Sequence, residues 1–287
     1  VFAKRTHFVT LERRLRFTKM HSLGNDFVML NGIDESIELS VEQARQLADR
    51  HHGVGCDQII LVQPADGEAD FLMRVFNTDG SESGQCGNGA RCLGEFLRDQ
   101  GLTSRESIHI QTHSTQFKLK MQEKGVVSAA LAAPNFEPRD IPLISQSQQD
   151  YYDLEIKDQS FRVGAVSMGN PHAVMLVDDV SIAPVAEIGS AIECHAAFPE
   201  NANVGFLEIA DRDQLRLRVW ERGVGETLAC GSGACAAVAV AHRWGRIEES
   251  VTVTLPGGRL TMSWPGSGPV WMTGPTTTVF QGVWGLD

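Results

Sequence analysis

Residues 74–90 and 218–234 spell one pattern twice. The first stretch reads Arg-Val-Phe-Asn-Thr-Asp-Gly-Ser-Glu-Ser-Gly-Gln-Cys-Gly-Asn-Gly-Ala, the second Arg-Val-Trp-Glu-Arg-Gly-Val-Gly-Glu-Thr-Leu-Ala-Cys-Gly-Ser-Gly-Ala. Without a gap, Arg74, Val75, Glu82, Cys86, Gly87, Gly89 and Ala90 fall on Arg218, Val219, Glu226, Cys230, Gly231, Gly233 and Ala234. The match continues outward. Ser22-Leu-Gly24-Asn25 falls on Ser167-Met-Gly169-Asn170 and Gln58 on Asn203 at offset 145, and Glu106-Ser-Ile-x-Ile110 falls on Glu249-Ser-Val-x-Val253 at 143. An ordered series whose offset drifts by two residues is what an old duplication with small loop deletions leaves behind. Both halves must then close a core with one topology, which excludes a short-period repeat array.

The apolar spacing says what that topology contains. Phe27–Leu30, Ile59–Val62 and Phe71–Phe76 are apolar runs of strand length. Ser40-Val-Glu-Gln43 is a capping box that predicts a helix through Ala44 and Leu47 to about residue 51, broken by Gly53-Val-Gly55. After Cys86, the positions Ala90, Leu93 and Leu97 keep helical spacing until Gly101. Strands follow around Ile108, over Phe117–Met121 and over Val126–Leu131.

Pro134, Pro138 and Pro142 mark the crossover between the halves. Strands at Phe161–Val163, Ala173–Val177, Val204–Ile209 and Leu215–Trp220 then lead to a helix from Ser232. The core of that helix, Ala234 to Ala241, is apolar on every face and has to be enclosed by protein. Val251–Leu255, Arg259–Met262 and Thr276–Gln281 supply closing strands, with Pro256-Gly-Gly258 as a turn. The expected fold class is α+β: two pseudosymmetric domains, each a mixed sheet wrapped round a central helix. We place the first domain, with Cys86, at 16–131 plus 276–287, and the second, with Cys230, at 132–275. Residues 1–16 carry Lys4, Arg5, Arg13, Arg14 and Arg16 against one acid, Glu12. A targeting leader has such a composition, but an upstream extension is the simpler reading, and residues 1–15 are expected to hold little fixed structure.

A chain of 287 residues with net charge −11 suits two ordinary domains and lacks the basic surface that nucleic acid or an anionic membrane requires. No apolar run approaches the roughly 20 residues that span a bilayer. The six cysteines lack the density of a disulfide scaffold, and no secretory signal is visible, so a reducing cytoplasm is the expected compartment. No metal site is expected either: no C-x₂-C or H-x₃₋₅-H pair accompanies the cysteines.

The chemistry lies where each copy turns from strand to helix. A helix N-terminus offers unpaired N–H donors and the positive end of a dipole, and the glycines of Cys-Gly-x-Gly let a carboxylate approach the backbone. The same field is expected to lower a thiol pKa and favour thiolate. Two halves related by a pseudo-twofold would face Cys86 and Cys230 across one cleft. That geometry suits removal of a proton from one face of a carbon and delivery to the other.

Against this stands the common reading of a cysteine as a small buried hydrophobe, which we give to Cys56, Cys92, Cys194 and Cys235. For Cys86 and Cys230 the duplication reverses it. Asn25, Gln58, Asn77, Asn170 and Asn203 could each cap a turn, but their pairing across the repeat favours a shared polar cleft. Glu221-Arg222 follows a strand at the position of Asn77-Thr78 and could hold a zwitterion. His172 could orient a neighbour, tune a thiol or be structural. Gly53-Val-Gly55 is too weak to imply a dinucleotide site.

These residues together resemble the diaminopimelate epimerase family over about residues 16–285. The motifs are Lys19-Met-His-Ser-Leu-Gly-Asn-Asp-Phe27, Gly53-Val-Gly-Cys-Asp-Gln58, Phe76-Asn-Thr-Asp-Gly-Ser81 and Gln85-Cys-Gly-Asn-Gly-Ala-Arg-Cys92. They continue with Ser167-Met-Gly-Asn-Pro-His172, Asn203-Val-Gly205, Glu221-Arg-Gly-Val-Gly-Glu226 and Ala229-Cys-Gly-Ser-Gly-Ala-Cys235. The resemblance implies a cofactor-independent isomerase of LL- and meso-2,6-diaminopimelate, with Cys86 and Cys230 as its catalytic pair. It implies a binding set of Asn25, Gln58, Asn77, Gly87, Asn88, Asn170, Asn203, Glu221, Arg222, Gly231 and Ser232, with His172 and Glu221 in catalytic support. A homodimer is implied as well.

The leader and His113-Ser-Thr-Gln116, where a tighter Gly-containing turn is common, depart from the family pattern outside the cleft. Proline racemases and hydroxyproline epimerases share the architecture, but Glu221-Arg222 with Asn77 and Asn203 favours a long substrate with a second amino-acid end. A non-catalytic amino-acid-binding protein would not need the paired cysteines. A thiol–disulfide switch would use them without turnover.

Overall fold

The computed structural model describes residues 13–84 and 86–286. Residues 1–12, most of the expected leader, lie outside the described residues. The chain is in strand from Arg13, so the boundary expected at residue 16 falls inside β1 (Arg13–Ser22). Leu15 and Phe17 point into the core while Arg14 and Arg16 face solvent, a two-residue alternation that explains a strand built from so many charges.

The first half continues with β2 (Asn25–Asn31), α1 (Val41–Ala48), β3 (Gln58–Pro64), β4 (Phe71–Asn77), β5 (Glu82–Ser83), α2 (Gly87–Asp99), β6 (Ser107–Gln111), β7 (Gln116–Met121) and β8 (Val126–Ala130). A link with a 3₁₀ turn at Pro138–Asp140 and strand β9 (Tyr152–Ile156) follows. The order then recurs: β10 (Gln159–Ser167), β11 (Pro171–Leu176), α3 (Val185–Glu193), β12 (Asn203–Asp211), β13 (Gln214–Glu221), β14 (Gly225–Thr227), α4 (Gly231–Arg243), β15 (Ser250–Leu255), β16 (Gly258–Ser263) and β17 (Trp271–Pro275). The last strand, β18 (Thr277–Leu286), lies antiparallel to β1 as β9 lies antiparallel to β10.

The pairing is the same in both halves. β2 runs parallel to β3 as β11 does to β12, and β4 parallel to β6 as β13 does to β15. The fold is therefore α+β with a mixed sheet and few helices. α2 packs on β1, β2, β3, β7 and β8, and α4 on β10, β11, β12 and β13. Every residue from Gly233 to Ala241 is buried, as the all-round apolar pattern of that helix requires.

The halves join where β8 pairs antiparallel with β17. Ser128 there sits opposite Thr273, with the two hydroxyl oxygens 2.7 Å apart. Followed through the strand pairings from Ile108 and Val251, which stand at the local offset of 143, Ala129 is the copy of Met272, and these two copies face each other in the β8–β17 pairing. Two copies of one strand paired antiparallel are related by a twofold axis. The pseudosymmetry inferred from the sequence thus has a physical axis, passing between Ala129 and Met272.

Six elements escape the sequence pattern: β1, β5, β9, β14, β17 and α3. α1 carries the capping box read from the sequence, with Ser40 Oγ accepting from Gln43 N–H at 3.2 Å and Gln43 Oε1 accepting from Ser40 N–H at 3.0 Å. Its counterpart α3 begins after Pro184 without a side-chain cap.

Candidate active site

Both cysteines are helix caps. Cys86 precedes α2 and its Sγ accepts the Gly89 N–H at 3.4 Å; Cys230 precedes α4 and its Sγ accepts the Gly233 N–H at 3.3 Å. The two helix starts meet head to head. A Cβ built on Gly87 would lie 3.7 Å from Gly231 Cα, and 3.0 and 3.1 Å from Leu131 Cδ1 and Met272 Cε. One built on Gly231 would lie 3.5 Å from Gly87 Cα. A side chain at either glycine would thus press on Met272 at the meeting of the halves, and the bare backbone leaves room for a ligand to approach.

The expectation of lowered thiol pKa values is overturned in this closed arrangement. Burial pushes Cys86 up to about 11, against the pull of the Gly89 N–H. Burial together with the nearby Glu221 carboxylate pushes Cys230 well above the usual thiol range. Desolvation of the sulfur outweighs the helix-end field. Glu221 is itself raised by burial; it accepts the Thr227 hydroxyl at 2.5 Å and hydrogen-bonds Cys230. Ser232 Oγ stands 3.6 Å from Cys230 Sγ.

The polar residues named from the repeat lie at the sheet end that carries the helix starts. Asn25 opens β2, Gln58 opens β3 and Asn77 closes β4; Gln58 Nε2 donates to Asn77 Oδ1 at 3.0 Å. Asn25 Oδ1 accepts from Asn88 Nδ2 at 3.1 Å and stands 4.0 Å from Cys86 Sγ. Asn170 directly precedes β11, Asn203 opens β12 and Glu221 closes β13. Asn203 is buried, donates to Pro171 O at 3.0 Å and accepts the Arg222 backbone N–H at 3.0 Å, which anchors the turn carrying the arginine. The Arg222 side chain is exposed and donates to Glu200 O at 2.9 Å.

His172 is fully enclosed, and burial plus the Arg222 charge hold its pKa down at about 3. Its ring is therefore neutral at physiological pH. Its Nε2 lies 3.0 Å from Asn170 Oδ1, which fixes that nitrogen as the N–H donor. Among the described residues no hydrogen bond joins His172 to either thiol.

Other residues escape the sequence reading. Asp57 receives Asn25 Nδ2 at 2.9 Å, and Arg50 Nη2 bridges Asp57 and Asp26 at 2.7 Å each. Lys19 Nζ reaches Asp26 Oδ2 at 2.5 Å and also donates to Gly55 O. Buried Glu193 accepts from Trp220 Nε1 and Gly223 N, both at 2.7 Å, clamping the turn with Glu221 and Arg222 from either side. The signal for these was present as charges inside otherwise apolar motifs, but their partners are distant in sequence. Gly53 serves α1 rather than a nucleotide: a Cβ there would fall 1.9 Å from Gln46 O. Cys56, Cys92 and Cys235 are buried as expected, whereas Cys194, expected to be buried, is exposed at the end of α3. All six thiols are free, and the described residues contain no cluster of His, Cys, Asp and Glu that could hold a metal ion.

The family model for diaminopimelate epimerase matches residues 17–135 and 164–279. The diaminopimelate epimerase of Thioalkalivibrio sulfidiphilus is 50% identical over 273 residues, covering 94% of this chain and 98% of its own. That of Alkalilimnicola ehrlichii is 50% identical over 278 residues, covering 96% and 100%. Among solved structures, a hydroxyproline epimerase from Agrobacterium vitis superposes with a TM-score of 0.73 at 15% identity, covering 96% of this chain and 94% of that one, and so shares the fold.

Proposed function

The chain belongs to the diaminopimelate epimerase family, an isomerase family of lysine biosynthesis, and from that premise we propose how it interconverts LL- and meso-2,6-diaminopimelate. One of Cys86 and Cys230 takes the α-proton as thiolate while the other, as thiol, returns one to the opposite face. The observation that carries this reading is the pair of sulfurs capping two helices whose first glycines touch across the pseudo-twofold.

The substrate carboxylate would lie against the first-turn amides of Gly87-Asn88 and Gly231-Ser232, so that charge building on it during proton loss meets fixed donors. Asn25, Gln58, Asn77, Asn170 and Asn203 would shape the polar wall, and Arg222 would take the distal carboxylate. Glu221 would support Cys230 in proton exchange, and His172 would act by orienting Asn170. With both thiols raised by burial, the α-ammonium of the substrate would supply the positive charge that makes a thiolate accessible. Because both proton carriers are side chains, no cofactor is required. Cys230 is 5% exposed and Asn88 3%, so access requires the two halves, 16–131 with 276–287 and 132–275, to part.

A cytoplasmic homodimer completes the reading. It is supported by Val279, Phe280 and Val283, three exposed apolar side chains on β18, and sedimentation would check it.

Deuterium oxide tests the mechanism. Product formed early from a single epimer should carry deuterium at the inverted carbon, while recovered substrate stays largely protiated, because the abstracting thiol returns its proton before exchange. Early product that retains the substrate's own hydrogen would rule out two opposed thiols.

A further inference from the structure

A buried cation stands behind Cys86 in α2 and has no copy behind Cys230 in α4. Arg91 has 0% exposure. Its Nη2 donates to Asn88 Oδ1 at 2.9 Å and to Ser22 Oγ at 2.6 Å. Its Nε and Nη1 make no hydrogen bond, and no carboxylate pairs with it among the described residues. Gly274 closes the space over it, since a Cβ there would lie 3.3 Å from Nε. Burial lowers its pKa to about 10, which still leaves it charged at neutral pH. The equivalent residue in the second half is Cys235, likewise buried and, with its thiol pushed up to about 12 by burial, neutral. A buried guanidinium without an anion costs stability, so packing alone gives no reason for it.

The hydrogen bonds show where its influence goes. Arg91 is donor only, so Asn88 must turn Oδ1 toward it. Asn88 Nδ2 is thereby aimed at Asn25 Oδ1 and at Ala229 O, each at 3.1 Å. At the far end the Asp57 carboxylate is acceptor only, so Asn25 must turn Nδ2 toward it and Oδ1 toward Asn88 and Cys86. A cation at one end and an anion at the other thus fix both amides. Ala229 immediately precedes Cys230, so Asn88 ties the start of α2 to the segment carrying the opposite cysteine. The charged groups acting on Cys86 are Arg91 from α2 and Glu221 from β13; on Cys230 acts Glu221.

We propose that Arg91 is a positioning residue of the cysteine pair: it locks Asn88 across the two halves and gives the Cys86 side a positive potential that Cys230 lacks, so that Cys86 ionises first. The proposal rests on the reading of these cysteines as the acid–base pair. It makes the cleft electrically one-sided although its backbone is symmetric.

Iodoacetamide labelling of the full chain from pH 7 upward until both midpoints are passed, with the Cys86 and Cys230 peptides quantified by mass spectrometry, tests it. In the wild type the labelling midpoint of Cys86 should lie below that of Cys230. Arg91→Met should raise the Cys86 midpoint by about one pH unit or more, and Arg91→Lys should bring most of it back. Equal midpoint shifts in the Met and Lys variants, or none in either, would reduce Arg91 to packing. Should the Met variant not fold, the wild-type order still decides, because a lower midpoint at Cys230 overturns the proposal. Epimerase activity surviving in Cys86→Ala would instead bring down the acid–base reading, whatever the labelling order.

Discussion

At the head of β2, Asn25 is held by a carboxylate; just before β11, Asn170 is held by an imidazole. Round Asn25 the carboxylates of Asp26 and Asp57 and the cations of Lys19 and Arg50 are paired with one another. At the equivalent positions the second half has Pro171, Ala202, Gly164 and His195, and the cluster is gone. Its own charges, Glu221 and Arg222, are adjacent in sequence, yet no ion pair joins them: one accepts from Thr227, the other donates to a backbone carbonyl. The difference teaches how one duplicated backbone divides its work. Charges that neutralise one another fix a frame, whereas Glu221 and Arg222, without a counter-ion between them, are left to meet a ligand. We read the first half as the frame and the second as the half that discriminates.

The comparison is most exposed where it claims equivalence, at the cysteines. Cys86→Ala and Cys230→Ala should each slow epimerisation by on the order of 10³-fold, within the range expected when one general acid or base is lost. A variant that keeps a tenth of the wild-type rate would make its half catalytically silent and the pairing accidental.

Where the comparison claims difference, two arginines separate it. Arg222→Lys should lower kcat/KM about tenfold, or roughly 1.4 kcal/mol, because an ammonium cannot reproduce the bidentate fork toward a distal carboxylate. Arg50→Lys changes a cation already held by Asp26 and Asp57, and should leave kcat/KM within about twofold. Steady-state kinetics on both variants, side by side, would reverse the assignment of frame and recognition if Arg50 proved the more damaging.

Much of this was legible in the chain. The repeat dictated two copies of one topology, and the apolar helix after Cys230 announced its own enclosure. The repeat also paired Asn25 with Asn170 and Gln58 with Asn203, and the strand ends of the structure carry these four, with Asn77 and Glu221, to one sheet end. What stayed hidden has physical causes. β1 reads as a basic tail when its charges are counted, and as a strand only when Leu15 and Phe17 are seen to alternate with the arginines. α3 lacks the capping signal that betrays α1. The raised thiols depend on how tightly two halves close, and the reach of Arg91 to Ser22 spans 69 residues. Neither is a property of a local window.

The smallest expected effect is on stability, and it distinguishes the halves by pH. Burial alone would raise the Asp26 carboxyl, but Arg50 and Lys19 hold it well below its usual 3.8. The stability this contributes is present above about pH 4 and is lost as pH falls below that. His172 is depressed too, by burial and then by Arg222, from 6.5 to about 3. Between those values the unfolded chain binds a proton that the folded chain refuses, so stability present above pH 6.5 drains as pH falls toward 3. The slope approaches about 1.4 kcal/mol per pH unit in that window. The second half should therefore loosen first on acidification, although the first holds the larger charge cluster. Hydrogen-exchange protection factors at pH 7, 5.5 and 4.5 should fall for β11 and β12 while β2 and β3 hold. His172→Phe puts in place the residue that the first half carries at this position, Phe27, and removes the titration. In that variant the protection of β11 and β12 should no longer depend on pH in this range. If β2 and β3 lose protection in step with β11 and β12 at pH 5.5, the two halves open as one unit and their chemical difference does not reach their stability.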